Sequence, residues 1–268
     1  MTNPLAAPDP WDYVADGYDE VSADIMLPFA QIALDVADPK PDARILDVAA
    51  GPGTLTLPAA TRVAKVDAVD FSPPMIERLL RHVRAAGLTN VAAQVGDGQA
   101  LPFADNEFDA AFSMFGLMFF PDRGKGFAEL HRVLKPGGVA VVSSWAPVSE
   151  SSLMTLIFDA LRAGNPEMPR PQTNPASLEN SDTFDRELRA AGFREASVEP
   201  HTISLAFDSA DALWDRFARG SAPLQLSRRN LGAEDWTRRE QLTLDHLRAN
   251  YTPGQALSTT AWLGSGTK

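Results

Sequence analysis

The sequence predicts an α/β protein built on a doubly wound, mostly parallel sheet in one domain. Three observations carry that expectation. Short apolar runs alternate with amphipathic stretches from residue 44 to residue 145. The first run, "RILDVA", breaks at once into "AGPG" and resumes as a helical pattern. The first three runs each end on or beside an aspartate, at Asp47, Asp70 and Asp97.

The elements follow in order. Residues 1–10 are proline-rich and read as loose, and 11–37 read as helical with a break at Pro28. "PKPDA" is a turn, "RILDVA" a buried strand and "TLTLPAATR" the next helix. "KVDAVD" is a second strand. In "SPPMIERLLRHVRAAG" a serine cap, prolines in the first turn, apolar spacing at Met75, Ile76, Leu79, Leu80 and Val83, and a closing glycine spell a helix. "VAAQVGD" and "FDAAFSMF" are strands three and four. "GKGFAELHRVL" is a helix stopped by "KPGG", and "VAVVSSW" is strand five. Right-handed crossovers then place helices on both faces, and ligands belong beyond the carboxyl ends of the strands.

After Trp145 the rhythm changes. A short helix and a Pro/Asn/Ser-rich loop precede the helix "SDTFDRELRAAGF" and the strand "EASVEPHTISLAF". "SADALWDRFARGSAPL" and "AEDWTRREQLTLDHLRANY" read as amphipathic helices, and "QALSTTAWLGSGTK" as a last strand. The chain divides into an N-terminal helical cap (1–38), a core (39–146), insertions at 147–181 and 208–252, and remaining core at 182–207 and 253–268.

Composition narrows the function. The net charge of −11 argues against a nucleic-acid backbone as partner. The absence of cysteine excludes disulfides, thiolate metal sites and a cysteine nucleophile. No residue cluster at ligand spacing suggests a metal. The N-terminal segment lacks a basic region followed by an apolar one, and no apolar run reaches ~18 residues. A cytoplasmic protein without a membrane span is the expectation.

The turn Gly51-Pro52-Gly53 lets a ligand's backbone-facing atoms come close with no Cβ in the way. A dinucleotide loop would place a third glycine where Thr56 stands, and a P-loop would need Gly-Lys-Ser/Thr. Asp47 suits an ammonium group better than a phosphate. Asp70 can accept both ribose hydroxyls, and Asp97 can accept the exocyclic amine of adenine. The other reading of the turn is a helix-capping bend, and of Asp70 a helix cap. Three acids at successive strand tips suit a neutral nucleoside joined to a cationic amino acid and repel a pyrophosphate.

"LDVAAGPGT", "VDAVDFSPPMIE", "GDGQALPFADNEFD", "FSMFGLMFFPD" and "HRVLKPGGVAVVSSW" stand in order and at the spacing of class I S-adenosylmethionine-dependent methyltransferases. The chain most resembles the ubiquinone/menaquinone-biosynthesis-type branch over residues 12–145. The resemblance implies a Rossmann-like sheet of seven strands, mostly parallel with the last antiparallel, and helical insertions forming a lid. It implies S-adenosyl-L-methionine as cofactor, with S-adenosyl-L-homocysteine as product. By resemblance, Asp47, Ala49, Gly51 and Gly53 face the methionine part. Asp70 takes the ribose, Phe71 and Met75 flank the adenine, and Asp97, Gly98 and Gln99 read it. Ser113 and Met114 offer a backbone carbonyl to the amino group, and Tyr13 and Tyr18 close the pocket. Ala49 departs from the family, which has glycine there.

The expected reaction is methyl transfer to a small, fairly hydrophobic acceptor, walled by residues 11–30, 147–181, 208–252 and the 113–120 segment, with Trp145 and Trp214 contributing. The methylated atom, O, N or C, is not read. No general base stands out: His82 and His131 read as scaffold residues, while His201 and His246 remain candidates. A non-catalytic cofactor-binding protein and a nicotinamide-dependent oxidoreductase are the alternatives. A nucleic-acid methyltransferase lacks its Asp/Asn-Pro-Pro-aromatic motif here.

Overall fold

In the computed structural model, residues 4–268 are described, apart from the side chains of 15–17 and 19–23. Seven strands form one sheet: β1 (Arg44–Val48), β2 (Lys65–Asp70), β3 (Val91–Val95), β4 (Phe108–Ser113), β5 (Leu134–Trp145), β6 (Arg194–Leu205) and β7 (Leu257–Thr267). Their order is β3-β2-β1-β4-β5-β7-β6. The pairs among β1 to β5 are parallel, and β7 runs antiparallel between β5 and β6. Strand order therefore reverses between β1 and β4, which places a crevice at their carboxyl ends.

The described helices are α1 (Asp9–Val21), α2 (Leu27–Ala37), α3 (Thr56–Ala60), α4 (Pro73–Ala85), α5 (Arg123–Val133), α6 (Ser152–Gly164), α7 (Ser181–Ala190), α8 (Ala210–Gly220), α9 (Ala222–Asn230) and α10 (Ala233–Asn250). Alternation along β1 sends Leu46 and Val48 to one face, with Phe127 of α5 and Phe184 of α7. Ile45 goes to the other, with Phe29 and Leu34 of α2. Both faces are covered, so the sheet sits between two apolar layers. A third cluster joins α6, α8 and α10 around Ile157, Trp214 and Leu247, and takes in Ile25.

Local chemistry fixes the helix starts. Ser72 caps α4 by accepting from the Met75 N–H at 3.3 Å, ahead of Pro73 and Pro74. Asn180 caps α7, accepting from the Thr183 N–H at 2.9 Å. Such caps contribute about 1 kcal/mol each.

Three expectations change. The N-terminal helices are joined by a π-helical segment, Ser22–Met26, and Pro28 falls in the first turn of α2, where its missing N–H costs nothing. The 209–224 stretch is two helices, α8 and α9, divided at Ser221, whose backbone is extended. Helix α5 ends at Val133, ahead of "KPGG" as expected, but the fifth strand begins at Leu134 and not at Val139, so it takes in that stretch. The stretch lies within β5 as an irregularity between the Phe108–Leu134 and Ala110–Val139 pairs. Gly137 N–H donates to the Lys268 carbonyl there at 3.0 Å.

Candidate functional site

The site starts at the tip of β1. Asp47 shares the face of Ile45 and is 1% exposed. Its Oδ2 accepts from the Thr56 hydroxyl at 2.6 Å. Thr56 opens α3, at the position where a third glycine would serve a pyrophosphate; its hydroxyl instead holds a carboxylate. The chain then turns through two left-handed residues, Ala49 (φ 57°) and Gly51 (φ 53°). That turn aims the Gly51 N–H at Asp70 Oδ2, 2.8 Å away. Gly53 faces α4, where a Cβ would come 3.1 Å from Leu79 Cγ. On the outer side, His82 Nδ1 lies 2.9 Å from the Pro52 carbonyl oxygen.

Asp70, at the tip of β2, is 5% exposed. Besides Gly51 it accepts from the Ser72 N–H at 2.9 Å. The Ser72 hydroxyl donates to Asp12 Oδ1 at 2.5 Å and so ties α1 to the start of α4. Burial pushes the Asp47 carboxyl up to about 7, against the Thr56 hydroxyl that favours its charge, with Asp70 adding to the rise. Burial pushes Asp70 up to about 6, opposed by the N–H groups of Ser72 and Gly51 and assisted by Asp12. Burial, then the Asp70 charge, raises the Tyr18 phenol far above its ordinary value.

Asp97 stands beyond β3 in an exposed loop, its Oδ1 accepting from the Gln99 backbone N–H at 2.8 Å and side-chain amide at 3.1 Å. Gln99 Oε1 in turn accepts from the Asp122 N–H at 2.9 Å. Gly98 is buried against Phe120 and Val48. At the tip of β4, Ser113 is fully buried and its hydroxyl oxygen accepts from the Leu117 N–H at 3.2 Å. Phe115 (φ 57°) donates its N–H to Ser143 Oγ at 2.9 Å and stacks on Trp145 with centroids 4.0 Å apart.

Helix α1 roofs the cleft. Trp11 lies 5.2 Å from Phe119 and 6.2 Å from Tyr18, ring centre to ring centre. Val14 packs with Met75 and with Ala222 of α9. The Tyr18 hydroxyl donates to Met26 Sδ at 3.2 Å. Tyr13 points the other way: it is 55% exposed, with the Arg229 guanidinium 4.2 Å over its ring.

Two cavities meet under this roof. One, of about 190 Å³, is lined by Tyr18, Ala49, Gly51, Asp70, Phe71, Met75, Asp97, Gly98, Gln99 and Met114, together with Trp11, Phe119 and Phe120. The smaller, of about 40 Å³, is lined by Asp47 with Met26, Pro52, Thr54 and Leu55. Tyr18, Ala49, Gly51, Met114 and Phe115 border both. Among the described residues no Lys, Arg or His lines either one. By its lining, the larger cavity, bordered by Asp70 and Asp97, suits a nucleoside, and the smaller, bordered by Asp47, suits a cationic tail.

Several expected residues lie elsewhere. Tyr13, Gly53 and the Ser113 side chain line neither cavity, nor do His201 on β6 and His246 on α10. Trp214 is buried in the α6–α8–α10 cluster, its indole N–H donating to Glu240 Oε1 at 3.0 Å, and Met118 packs into the core. No described residue of 147–181 or 208–252 borders these cavities. α8 and α9 instead back α1 from behind, so the roof is the N-terminal helix and the insertion is its support. Trp11, Asp12, Met26 and Thr56 were not singled out as site residues from the sequence. Trp11, Val14 and Tyr18 at helical spacing were the signal available for the roof.

Known proteins extend the likeness. Residues 45–138 match the family described as "Methyltransferase domain". An uncharacterized protein of Mycobacterium tuberculosis is 40% identical over 208 residues, 77% of this chain and 74% of the relative. Nocamycin O-methyltransferase of Saccharothrix syringae is 31% identical over 220 residues, 76% of this chain and 78% of the relative. The crystal structure of the YcgJ protein from Bacillus subtilis shares the fold, with a TM-score of 0.59 at 21% identity, covering 89% of this chain and 97% of that one.

Proposed function

The chain belongs to the class I S-adenosylmethionine-dependent methyltransferases, and from that premise we propose that it transfers a methyl group from S-adenosyl-L-methionine to a small, fairly hydrophobic acceptor. One observation carries the reading of the cleft: buried Asp47 and Asp70 and exposed Asp97 border adjoining cavities that no described Lys, Arg or His lines. That charge suits a sulfonium and an ammonium and opposes a pyrophosphate.

S-adenosyl-L-methionine supplies an electrophilic methyl on sulfur. The protein's residues bind, orient and enclose. Asp70 takes the ribose hydroxyls, held for that task by the N–H groups of Gly51 and Ser72. Asp97 and the Gly98–Gln99 backbone read the adenine between Phe71 and Met75. Asp47 and the Ala49–Gly51 turn face the methionine part. The Ser113–Met114 backbone offers the carbonyl to the ammonium, because the Ser113 hydroxyl is committed to Leu117. Tyr18 and Trp11 exclude water from above. Orientation of this kind accounts for ~7–11 kcal/mol of barrier in favourable systems.

Apart from Asp47 and Thr54, the side chains around the methionine end are apolar or aromatic, Tyr18, Met26, Leu55, Met114 and Phe115 among them. They support an apolar acceptor. Nocamycin O-methyltransferase, by its name, methylates nocamycin at oxygen. Calorimetric titration with S-adenosyl-L-homocysteine and with NAD tests the cofactor. Binding of the former alone supports the reading, and binding of NAD alone overturns it. Incubation with methyl-labelled cofactor and fractionated metabolites tests the acceptor: label moving into a small apolar product supports it, and label moving only into macromolecules overturns it.

A further inference from the structure

The donor and the product of a methyl transfer from S-adenosyl-L-methionine differ by one methyl group and one positive charge on sulfur. Adenine, ribose, ammonium and carboxylate are common to both and cancel in the ratio of their affinities. The ratio is set by what charge the protein places at the methionine end.

Asp47 is the carboxylate bordering the smaller cavity there, together with Tyr18 and Met114. It is 1% exposed, and among the described residues its side-chain hydrogen-bond partner is the Thr56 hydroxyl at 2.6 Å. A buried carboxylate keeps its charge only as far as hydrogen bonds replace lost water. We propose that Thr56 is a positioning residue, whose hydroxyl holds Asp47 ionisable and aimed at the cavity, and that Asp47 so held sets this site's preference for the sulfonium donor over its thioether product. The proposal rests on the cleft being an S-adenosyl-L-methionine site.

The groups around Asp47 fix the sign of its pH dependence. Asp70 faces it from β2 and repels its charge. Tyr18 borders the cavity from α1, and its raised pKa keeps it a neutral phenol. Asp12 stands beyond Asp70, reached through Ser72. His82 on α4 contacts the Pro52 carbonyl on the far side of the turn. Burial and Asp70 place the Asp47 midpoint at about 7. Below it the carboxyl is protonated and neutral toward the sulfonium; above it the charge attracts the donor and does nothing for the uncharged sulfur of the product.

The test measures dissociation constants of both S-adenosyl-L-methionine and S-adenosyl-L-homocysteine on the full chain between pH 6 and 8.5. The product-to-donor ratio of the constants is expected to rise about tenfold across that range. Thr56→Val, which keeps the backbone N–H and loses the hydroxyl, is expected to flatten the rise. Thr56→Ser is expected to restore it. Asp70→Asn should weaken both ligands in parallel and move the midpoint down, because a like charge is gone. A flat ratio in the wild type, or a wild-type profile in Thr56→Val, overturns the proposal, and the first of these needs no variant to fold. If neither ligand binds the wild type, the cofactor assignment itself falls, and this proposal with it.

Discussion

The methyl of Ala49 occupies the space that a side chain on Gly116 would need: a Cβ built on Gly116 lies 2.3 Å from Ala49 Cβ. The two positions, one in the turn after β1 and one beyond β4, are fitted to each other across the switch point of the sheet. Ala49 is left-handed at φ 57°, a conformation that costs an alanine about 1–2 kcal/mol. Gly116 has φ −102°, which any residue adopts. Where the family resemblance expects glycine at position 49, the methyl of Ala49 is accommodated here by the absence of a side chain at Gly116.

That fit makes a double-mutant cycle informative. Gly116→Ala alone is expected to destabilise by about 1–3 kcal/mol through overpacking. Ala49→Gly alone is expected to be nearly neutral, since relief of strain offsets the lost methyl. The double variant should regain most of the loss, giving a coupling of about 1–2 kcal/mol. Denaturant unfolding of the four proteins measures it, and strict additivity would refute the pairing.

The acids at the strand tips differ in how they are held, and so should their substitutions. Asp70 takes two backbone N–H groups and is buried, whereas Asp97 is exposed and paired to Gln99. Asp70→Ala and Asp97→Ala are each expected to weaken S-adenosyl-L-homocysteine binding by more than tenfold, about 1.4 kcal/mol. Only Asp70→Ala should also lower the melting temperature of the free protein, because it orphans the Gly51 and Ser72 donors. Calorimetry and thermal melts on both variants separate the two effects. Unchanged affinity in both would place the ligand elsewhere.

Much of this was legible because it repeats along the chain. Strands ending in acids, and a serine followed by prolines, report local physics that tertiary contacts did not override. The π-helical link at Ser22–Met26 was legible only as a break placed at Pro28, and the division of α8 from α9 at Ser221 was missed although Gly220 and Pro223 flank it, because the amphipathic spacing runs on across them. The roles of Tyr13 and Tyr18 follow from helix geometry: Tyr18 is seven residues from Trp11 and falls on its face, while Tyr13, two residues away, lies about 200° around. The Ala49–Gly116 fit joins residues far apart in sequence, so no local pattern announces it. Thr56 was readable as a missing glycine, but not as the partner of Asp47.

Buried acids with raised pKa values give the free protein an unusual pH dependence. Asp47 titrates near 7 and Asp70 near 6 in the folded chain, against about 3.9 unfolded. The folded state therefore binds more protons between pH 4 and 7, and these two groups make it less stable as pH rises through that window. His131, whose pKa is lowered by burial, works in the opposite direction. Asp47→Asn isolates the effect. It is expected to be more stable than wild type at pH 8, by up to about 4 kcal/mol, with the difference shrinking toward pH 5. Melting temperatures at pH 5, 6.5 and 8 check this, and a pH-independent difference would show that Asp47 is not the titrating group.

Among the described residues, a short contact from the Ser72 hydroxyl to Asp12 Oδ1, at 2.5 Å, latches the roof of the cleft. Because Ser72 also donates its N–H to Asp70, the latch and the ribose-facing carboxylate share a residue. Asp12→Ala removes a hydrogen bond to a charged group, an interaction of about 1.5–3 kcal/mol. It should speed dissociation of S-adenosyl-L-homocysteine about tenfold and raise amide exchange along α1, with β1 and β2 unchanged. The same variant takes a like charge away from Asp70, so the Asp70 midpoint should fall below about 6. Stopped-flow displacement and hydrogen exchange read the two consequences separately. A wild-type off-rate together with wild-type protection of α1 would mean that the packing of Val14 against Met75 and Ala222, rather than Asp12, keeps the roof closed.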